Sequence, residues 1–175
     1  MHPFRHLHTV NKHRFLVMIH CFRAGLIRQG LCHDLSKYSP TEFLAGARYF
    51  QGIRSPNDGE REKNGYSLAW MHHKGRNKHH IEYWTDYDPK THKIEAVQMP
   101  RKYVAEMFCD RVAACKTYQK SAYTNGSALE YFLKGKPRRW GHPQTSADIE
   151  MLLTMLRDKG EDETFLYLKK WVKEG

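Results

Sequence analysis

The sequence of 175 residues lacks any long hydrophobic run. Its longest apolar stretches, such as residues 15–19, are far shorter than the roughly 18 residues that a membrane-spanning helix needs. The first residues carry neither the apolar segment nor the small-residue cleavage site of a secretion signal. We therefore expect a cytoplasmic protein with no membrane as a partner.

Cysteine is also scarce. The four cysteines contain no Cys-x-x-Cys pair, and in a reducing compartment they are typical of small buried hydrophobic residues. Their spacing argues against a disulfide scaffold and against a zinc ribbon. The chain has no internal repeat and no low-complexity tract.

Strand signals are missing as well, because no segment alternates apolar and polar residues over a sustained length. Helical spacing is present instead. Ser39-Pro40-Thr41-Glu42 combines an N-cap serine, a first-turn proline and a glutamate three residues after the cap, which indicates a helix start. The pattern predicts an all-α fold with helices over 10–24, 39–52, 66–73, 99–120, 145–156 and 161–172, a turn or helix over 77–84, loops over 53–65 and 86–98, and a connector over 134–145.

Positive charge is abundant. The chain has 29 Lys and Arg against 19 Asp and Glu, which gives a net charge of +10 and a pI near 9.5. Such a field attracts phosphate-bearing partners more readily than cationic ones. It does not by itself demonstrate binding to nucleic acid.

Histidine is the most informative residue, with 12 copies. Four of them, His72, His73, His79 and His80, lie within nine residues, and a helix break near Gly75 separates the two pairs. One ring from each pair can therefore point into the same interior, as a metal site requires. The alternative is a solvated basic loop that faces nucleic acid.

Asp110 shares the apolar face of its predicted helix, where a carboxylate is costly unless it is paired or binds a cation. A salt bridge to another helix is the alternative. In the first helix, His6, His13 and His20 are spaced by seven and lie close to one face. His13 is best placed for an inward role, although a hydrogen-bonded core histidine would give the same pattern.

The order of these residues is a histidine in the first helix, His33-Asp34 after a turn, the four-histidine cluster, and then Asp110. This order resembles the HD-domain metal-dependent phosphohydrolase superfamily, whose pattern is H…HD…(H…H)…D on an all-α scaffold. The segments 30–43, 72–84 and 99–110 look like an uncharacterised HD-like family of about this length. The resemblance covers roughly residues 5–120.

The resemblance implies that His13, or His20 in its place, binds one metal together with His33, Asp34 and Asp110. It also implies that Asp34 bridges to a second ion held by one ring of each histidine pair, which we take as His73 and His80. Mixed imidazole and carboxylate ligands suit Mn, Fe, Co, Ni or Zn. We therefore expect one or two divalent transition-metal ions.

The same resemblance suggests catalytic roles for Asp34, Lys37 and Arg76. Superfamily members with His-Asp-x-x-Lys use such a lysine near the substrate phosphate, and Lys37 occupies this position. Arg76 and Lys78 are natural companions because a cationic fork matches phosphate oxygens. For Lys37, Arg76 and Lys78, the alternative is an ordinary solvated charge.

We therefore expect an all-α, HD-like helical bundle with a C-terminal helical pair. Residues 1–133 would form the metal-binding domain, and residues 134–175 would supply a connector and C-terminal helices packed on it. The expected function is metal-dependent hydrolysis of a nucleotide or another small phosphoester by activated water, so the expected partner is a small phosphorylated substrate. The alternatives are an HD-type di-iron oxygenase and a non-enzymatic helical module that binds nucleic acid.

Overall fold

Helices dominate the computed structural model, which describes residues 1–138 and 140–175. This architecture confirms the predicted all-α class. Short 3-10 turns cover Leu35–Tyr38, Ile81–Tyr83, Lys120–Ala122 and Lys136–Arg138, and two short strands are β1 (Thr85–Asp88) and β2 (Lys93–Ala96). The helices are α1 (Pro3–Arg23), α2 (Ile27–Cys32), α3 (Pro40–Arg48), α4 (Pro56–Asn64), α5 (Leu68–Lys74), α6 (Arg101–Gln119), α7 (Ser127–Gly135) and α8 (Pro143–Lys173).

Helix α6 lies at the centre of the core and packs against α1 on one side and α8 on the other. Val104, Phe108 and Val112 of α6 are fully buried. Each such side chain contributes about 1.5–3 kcal/mol relative to an exposed position. The packing of the apolar faces of α6 and α8 thereby fixes the position of α6, which presents polar side chains from its middle.

The C-terminal helical pair takes the form of two stretches of α8. They meet at Gly160, whose φ of 79° and ψ of 179° interrupt the helix. Leu156 before the break and Phe165 after it are both buried in the core. The segment that follows the connector therefore packs on the same core as the rest of the chain.

Local capping explains the helix starts nearest the candidate site. Ser39 caps α3 because its hydroxyl accepts a hydrogen bond from the Glu42 amide at 3.4 Å, as predicted from the sequence. Ser67 caps α5 in the same way through the Trp70 amide at 3.0 Å. These two caps fix where the helices that carry Glu42 and His73 begin. They thereby also fix the directions in which these two side chains leave their helices.

Two expected loops contain regular structure. Helix α4 occupies most of the expected loop 53–65, since Ser55 caps it and the buried Glu60 accepts hydrogen bonds from the Ser67 hydroxyl and the Ala69 amide. The expected loop 86–98 is largely an antiparallel hairpin, in which Tyr87 pairs with Ile94. Helix α4 was not predicted because its first residues are typical of turns. The hairpin was not predicted because its strands are too short to show a sustained alternation.

Two helix boundaries also differ from the prediction, and one helix was not predicted. Helix α1 begins at Pro3, well before residue 10, and α3 ends at Arg48, before Gly52. Helix α7 occupies a segment to which the sequence pattern assigned no element. Within the described residues, no helix combines the length and apolar character needed to cross a membrane.

Candidate metal centre

Side chains from five segments converge at the middle of α6. Helix α1 supplies His13, and the turn after α2 supplies His33 and Asp34. Helix α5 and the segment after it supply His73, His79 and His80, while α6 supplies Asp110. The structure therefore brings together all the side chains predicted as metal ligands.

Asp34 lies at the centre of this cluster. Its backbone adopts the left-handed conformation, with φ of 53° and ψ of 27°, which aspartate tolerates better than most residues do. Its Oδ1 lies 3.3 Å from His73 Nε2 and 3.5 Å from His79 Nε2. Its Oδ2 lies 3.5 Å from His33 Nε2.

Asp110 forms a second centre beside the first. Its Oδ1 lies 2.9 Å from His13 Nε2 and 3.7 Å from His33 Nε2. His33 therefore faces both carboxylates. Each of three overlapping groups of side chains has ligand atoms within 4.8 Å of one another, namely Asp34 with His73, His79 and His80, His13 with His33 and Asp110, and His33 with His79 and Glu106.

Two glutamates orient the imidazoles from behind. Glu106 Oε1 lies 3.0 Å from His33 Nδ1 and 3.2 Å from His79 Nδ1. Glu42 Oε2 lies 2.7 Å from His73 Nδ1. An ionised carboxylate only accepts hydrogen bonds, so each of these Nδ1 atoms carries a proton and each Nε2 is left facing the cluster. This arrangement is typical of histidines that ligate a metal.

Sequence reasoning missed both glutamates. Glu42 was already explained as part of a capping box, although its side chain turns to His73. Glu106 precedes Asp110 by four residues and so lies on the same helix face. A second carboxylate on that apolar face was the signal that would have identified Glu106.

Several buried polar atoms in the cluster have no hydrogen-bond partner within the described residues. They are Asp34 Oδ1 and the Nε2 atoms of His33, His79 and His80. Leaving one such atom unpaired costs about 1–3 kcal/mol, so a group of them facing one another calls for a shared partner. Imidazole nitrogen with carboxylate oxygen is the donor set of a divalent transition metal, and these residues fit that group.

The electrostatics of the cluster favour ionised carboxylates. Burial opposes ionisation of Asp34, yet His33, Lys37 and His73 together hold its pKa well below the ordinary value. Burial likewise opposes ionisation of Asp110, but His13 and His33 hold its pKa well below normal. Both side chains are therefore negatively charged at neutral pH.

The histidines divide into two kinds. Burial lowers the pKa of His33, but Asp34, Asp110 and Glu106 outweigh burial and raise it well above normal. Burial, together with His79 and His73, holds the pKa of His80 well below normal, so its ring is neutral. The negative carboxylates favour protonation of the neighbouring imidazoles. A metal cation bound among the carboxylates would compete with these protons.

The three histidines of α1 that are spaced by seven residues have separate environments. His13 contacts Asp110, whereas the His20 ring makes other contacts. His20 Nδ1 donates to the Cys109 carbonyl at 3.3 Å, and its Nε2 accepts from Lys116 Nζ at 3.2 Å. Burial and Lys116 lower the pKa of His20 to about 4. His6 packs against Phe43 at the other end of the row. The geometry therefore favours His13 over His20 as a ligand.

Lys37 is the cation nearest the cluster. Its Nζ lies 3.3 Å from Asp34 Oδ2, and its side chain is 27% exposed. Burial lowers the pKa of Lys37, but Asp34 and Asp110 outweigh burial and raise it, so the ammonium stays protonated.

The other predicted cations lie outside this contact. Arg76 is exposed and donates to the His72 carbonyl at 3.2 Å. Lys78 packs over the rings of Tyr83 and Tyr103. Within the described chain, no ion pair joins Arg76 or Lys78 to Asp34.

The chain matches no curated protein and no solved structure. One protein family does match, over residues 2–155, and this range contains every residue of the cluster. The protein belongs to the Family of unknown function (DUF5662).

Proposed function

We propose that the protein is an HD-type, metal-dependent phosphohydrolase that acts on a nucleotide or another small phosphoester. The observation that carries this proposal is the group of unpartnered buried atoms at His33, Asp34, His79 and His80, with a protonated lysine beside them. These imidazole, carboxylate and ammonium groups support a hydrolytic site that binds an anionic substrate.

In this proposal one ion would be held by His13, His33, Asp34 and Asp110. Asp34 also contributes to a second ion with His73 and with His79 or His80. A divalent transition metal bound there would supply Lewis acidity, which lowers the pKa of water and offsets negative charge on a phosphoryl group.

The chain's own residues fix the ligands in place. Glu106 and Glu42 hold three imidazoles with Nε2 facing inward. Arg14 donates from Nε to the His33 carbonyl at 2.7 Å and from Nη2 to the Leu31 carbonyl at 3.2 Å. These bonds brace the turn that presents His33 and Asp34, so little reorganisation is needed when charge develops in the reaction.

Substrate would enter from the side of Lys37 and Asp110. Their side chains are 27% and 20% exposed, whereas those of His33, Asp34 and His73 are at most 2% exposed. The Lys37 ammonium can bind a phosphoryl oxygen there as a point charge. Because it stays protonated, it stabilises negative charge and does not act as a base.

The test is phosphate release from phosphomonoesters, nucleotides and cyclic nucleotides, with Mn²⁺, Fe²⁺, Co²⁺, Ni²⁺, Zn²⁺ and Mg²⁺ supplied separately. Asp34→Ala serves as the blank. Lys37→Met should retain its metal content and lower kcat by about 10²-fold, the cost typical of losing one transition-state contact. Lys63→Met, on the exposed surface of α4, is the matched control and should keep full activity.

Phosphate release that no metal raises above the blank would contradict the proposal. Oxygen consumption by the ferrous protein with a phosphonate or polyol would then favour the di-iron oxygenase. Binding of labelled RNA or DNA by a metal-free native protein would favour the nucleic-acid-binding module.

A further inference from the structure

A cavity of about 530 Å³ is lined in part by α1 and α6, the helices that also carry His13 and Asp110. The first half of α1, the segment after α3 and the C-terminal end of α6 form its walls. This volume is within the range of small-molecule sites. Its wall includes Arg5, Lys12, Phe50, Tyr118 and Lys120.

The charged side chains that line this cavity are all positive. Three permanent cations, Arg5, Lys12 and Lys120, line it together with His8, and no aspartate or glutamate is among the lining residues. Within the described chain, none of the three cations forms an ion pair with a carboxylate. An anion in the cavity would therefore meet cations that no protein carboxylate neutralises.

The backbone at Lys120 supports the same interpretation. Lys120 ends α6 with φ of 52° and ψ of −119°, a conformation that is rare for any residue except glycine. Such a residue costs on the order of 1–3 kcal/mol and is found mainly at functional sites. Here the unfavourable backbone occurs at a lysine on the cavity wall.

The cavity is linked to the metal cluster through α1 and α6, although no residue of the cluster lines the cavity itself. Lys12 precedes the candidate ligand His13 in α1, and Tyr118 follows Asp110 by two turns of α6. Lys37 and Asp110 are close enough to Tyr118, on the cavity wall, to act on its hydroxyl electrostatically. Lys37 therefore contacts the cluster through Asp34 and lies within electrostatic range of Tyr118 on the cavity wall.

We infer that this cavity binds a second phosphate group, on the part of the substrate that does not react. The inference rests on the proposed function, and it narrows the substrate to a bisphosphorylated small molecule. One phosphate would lie at the cluster beside Lys37, and the other would lie among Arg5, Lys12 and Lys120. Phe50 and Tyr118 supply apolar surface for the scaffold that joins the two groups.

Two matched pairs of probes test this inference by calorimetric titration of the full chain as purified. They are adenosine 3′,5′-bisphosphate with adenosine 5′-monophosphate, and fructose 1,6-bisphosphate with fructose 6-phosphate. At least one bisphosphate should bind about tenfold more tightly than its monophosphate, as expected for one added charge-assisted contact. Phosphate release is measured in the same samples.

Variants assign the extra affinity to the cavity. Arg5→Gln and Lys12→Gln should each weaken bisphosphate binding about fivefold while changing monophosphate binding less than about twofold, since one exposed cation contributes modestly. Both side chains are exposed, so the folded state should tolerate their loss, and circular dichroism checks this. Lys63→Gln is the control and should change neither affinity.

The two possible failures are distinguishable. Equal affinity for mono- and bisphosphates, or full bisphosphate affinity in both cavity variants, would overturn the assignment of the cavity whatever the phosphate release. Tight bisphosphate binding that depends on Arg5 and Lys12, without phosphate release under any metal, would support the cavity and contradict the hydrolase.

Discussion

Glu106 provides a sensitive test of how the histidines are held. Its carboxylate accepts hydrogen bonds from His33 and His79 at 3.0 and 3.2 Å. Glu106→Gln keeps the shape of the side chain and removes its charge. The variant should fold and should bind a divalent metal more weakly.

The magnitude follows from the two contacts. Hydrogen bonds to charged groups contribute about 1.5–3 kcal/mol, and neutral ones about 0.5–1.5 kcal/mol. Glutamine therefore forfeits roughly 1 kcal/mol at each imidazole, or about 2 kcal/mol in all, which corresponds to about a 30-fold loss of metal affinity. This value lies within the 10- to 100-fold range typical of residues that support metal ligands.

Competition between the protein and a chelator for Co²⁺ measures the affinity, and the visible absorption of bound Co²⁺ reports the ligand field. Glu163→Gln, on the exposed surface of α8, is the matched control. If Glu106→Gln binds Co²⁺ within about twofold of the wild-type affinity, the charge-assisted contacts do not support the ligands, and the reasoning fails.

Two further predictions concern stability. The pKa of His20 is lowered to about 4, so between pH 6.5 and 4 the unfolded chain takes up a proton that the folded chain refuses. The free energy of unfolding should therefore decrease as the pH is lowered from 6.5 to 4. In urea titrations with excess chelator, His20→Leu should make this decrease smaller by about 2 kcal/mol. Parallel curves of unfolding free energy against pH for the two proteins would refute this. At Gly46, an added Cβ would lie 2.1 Å from His6 Nε2, so Gly46→Ala should destabilise the fold by about 1–3 kcal/mol and lower Tm. Adding His6→Ala should recover part of that loss, and independent, additive effects would contradict the proposed clash.

The sequence was most predictive where local chemistry decides the structure. The Ser39 cap of α3 needs only residues within one helical turn, and the apolar spacing of α6 reports its burial directly. Helix α4 illustrates the limit, because Pro56-Asn57-Asp58-Gly59 has turn composition. Its Glu60 is stabilised by Ser67, a contact between two elements that periodicity does not reveal.

The candidate site shows the same division. The motif order identified the side chains that meet, including His33 and Asp110. It did not reveal how the imidazole rings are oriented. Orientation depends on Glu106 and Glu42, which reach the imidazoles across 73 and 31 positions of sequence. The choice between His13 and His20 also required tertiary structure, because both lie on one face of α1 and differ only in their partners on α6.

Elemental analysis of the untagged protein, purified without added metal, tests the metal site most directly. We expect about one or two equivalents of Mn, Fe, Co, Ni or Zn per chain, bound by the imidazole and carboxylate ligands of the cluster. His33→Ala and Asp110→Ala should each lose most of this metal and remain folded by circular dichroism. A native protein that holds no transition metal even after incubation with these ions, or full metal retention in both variants, would contradict the account.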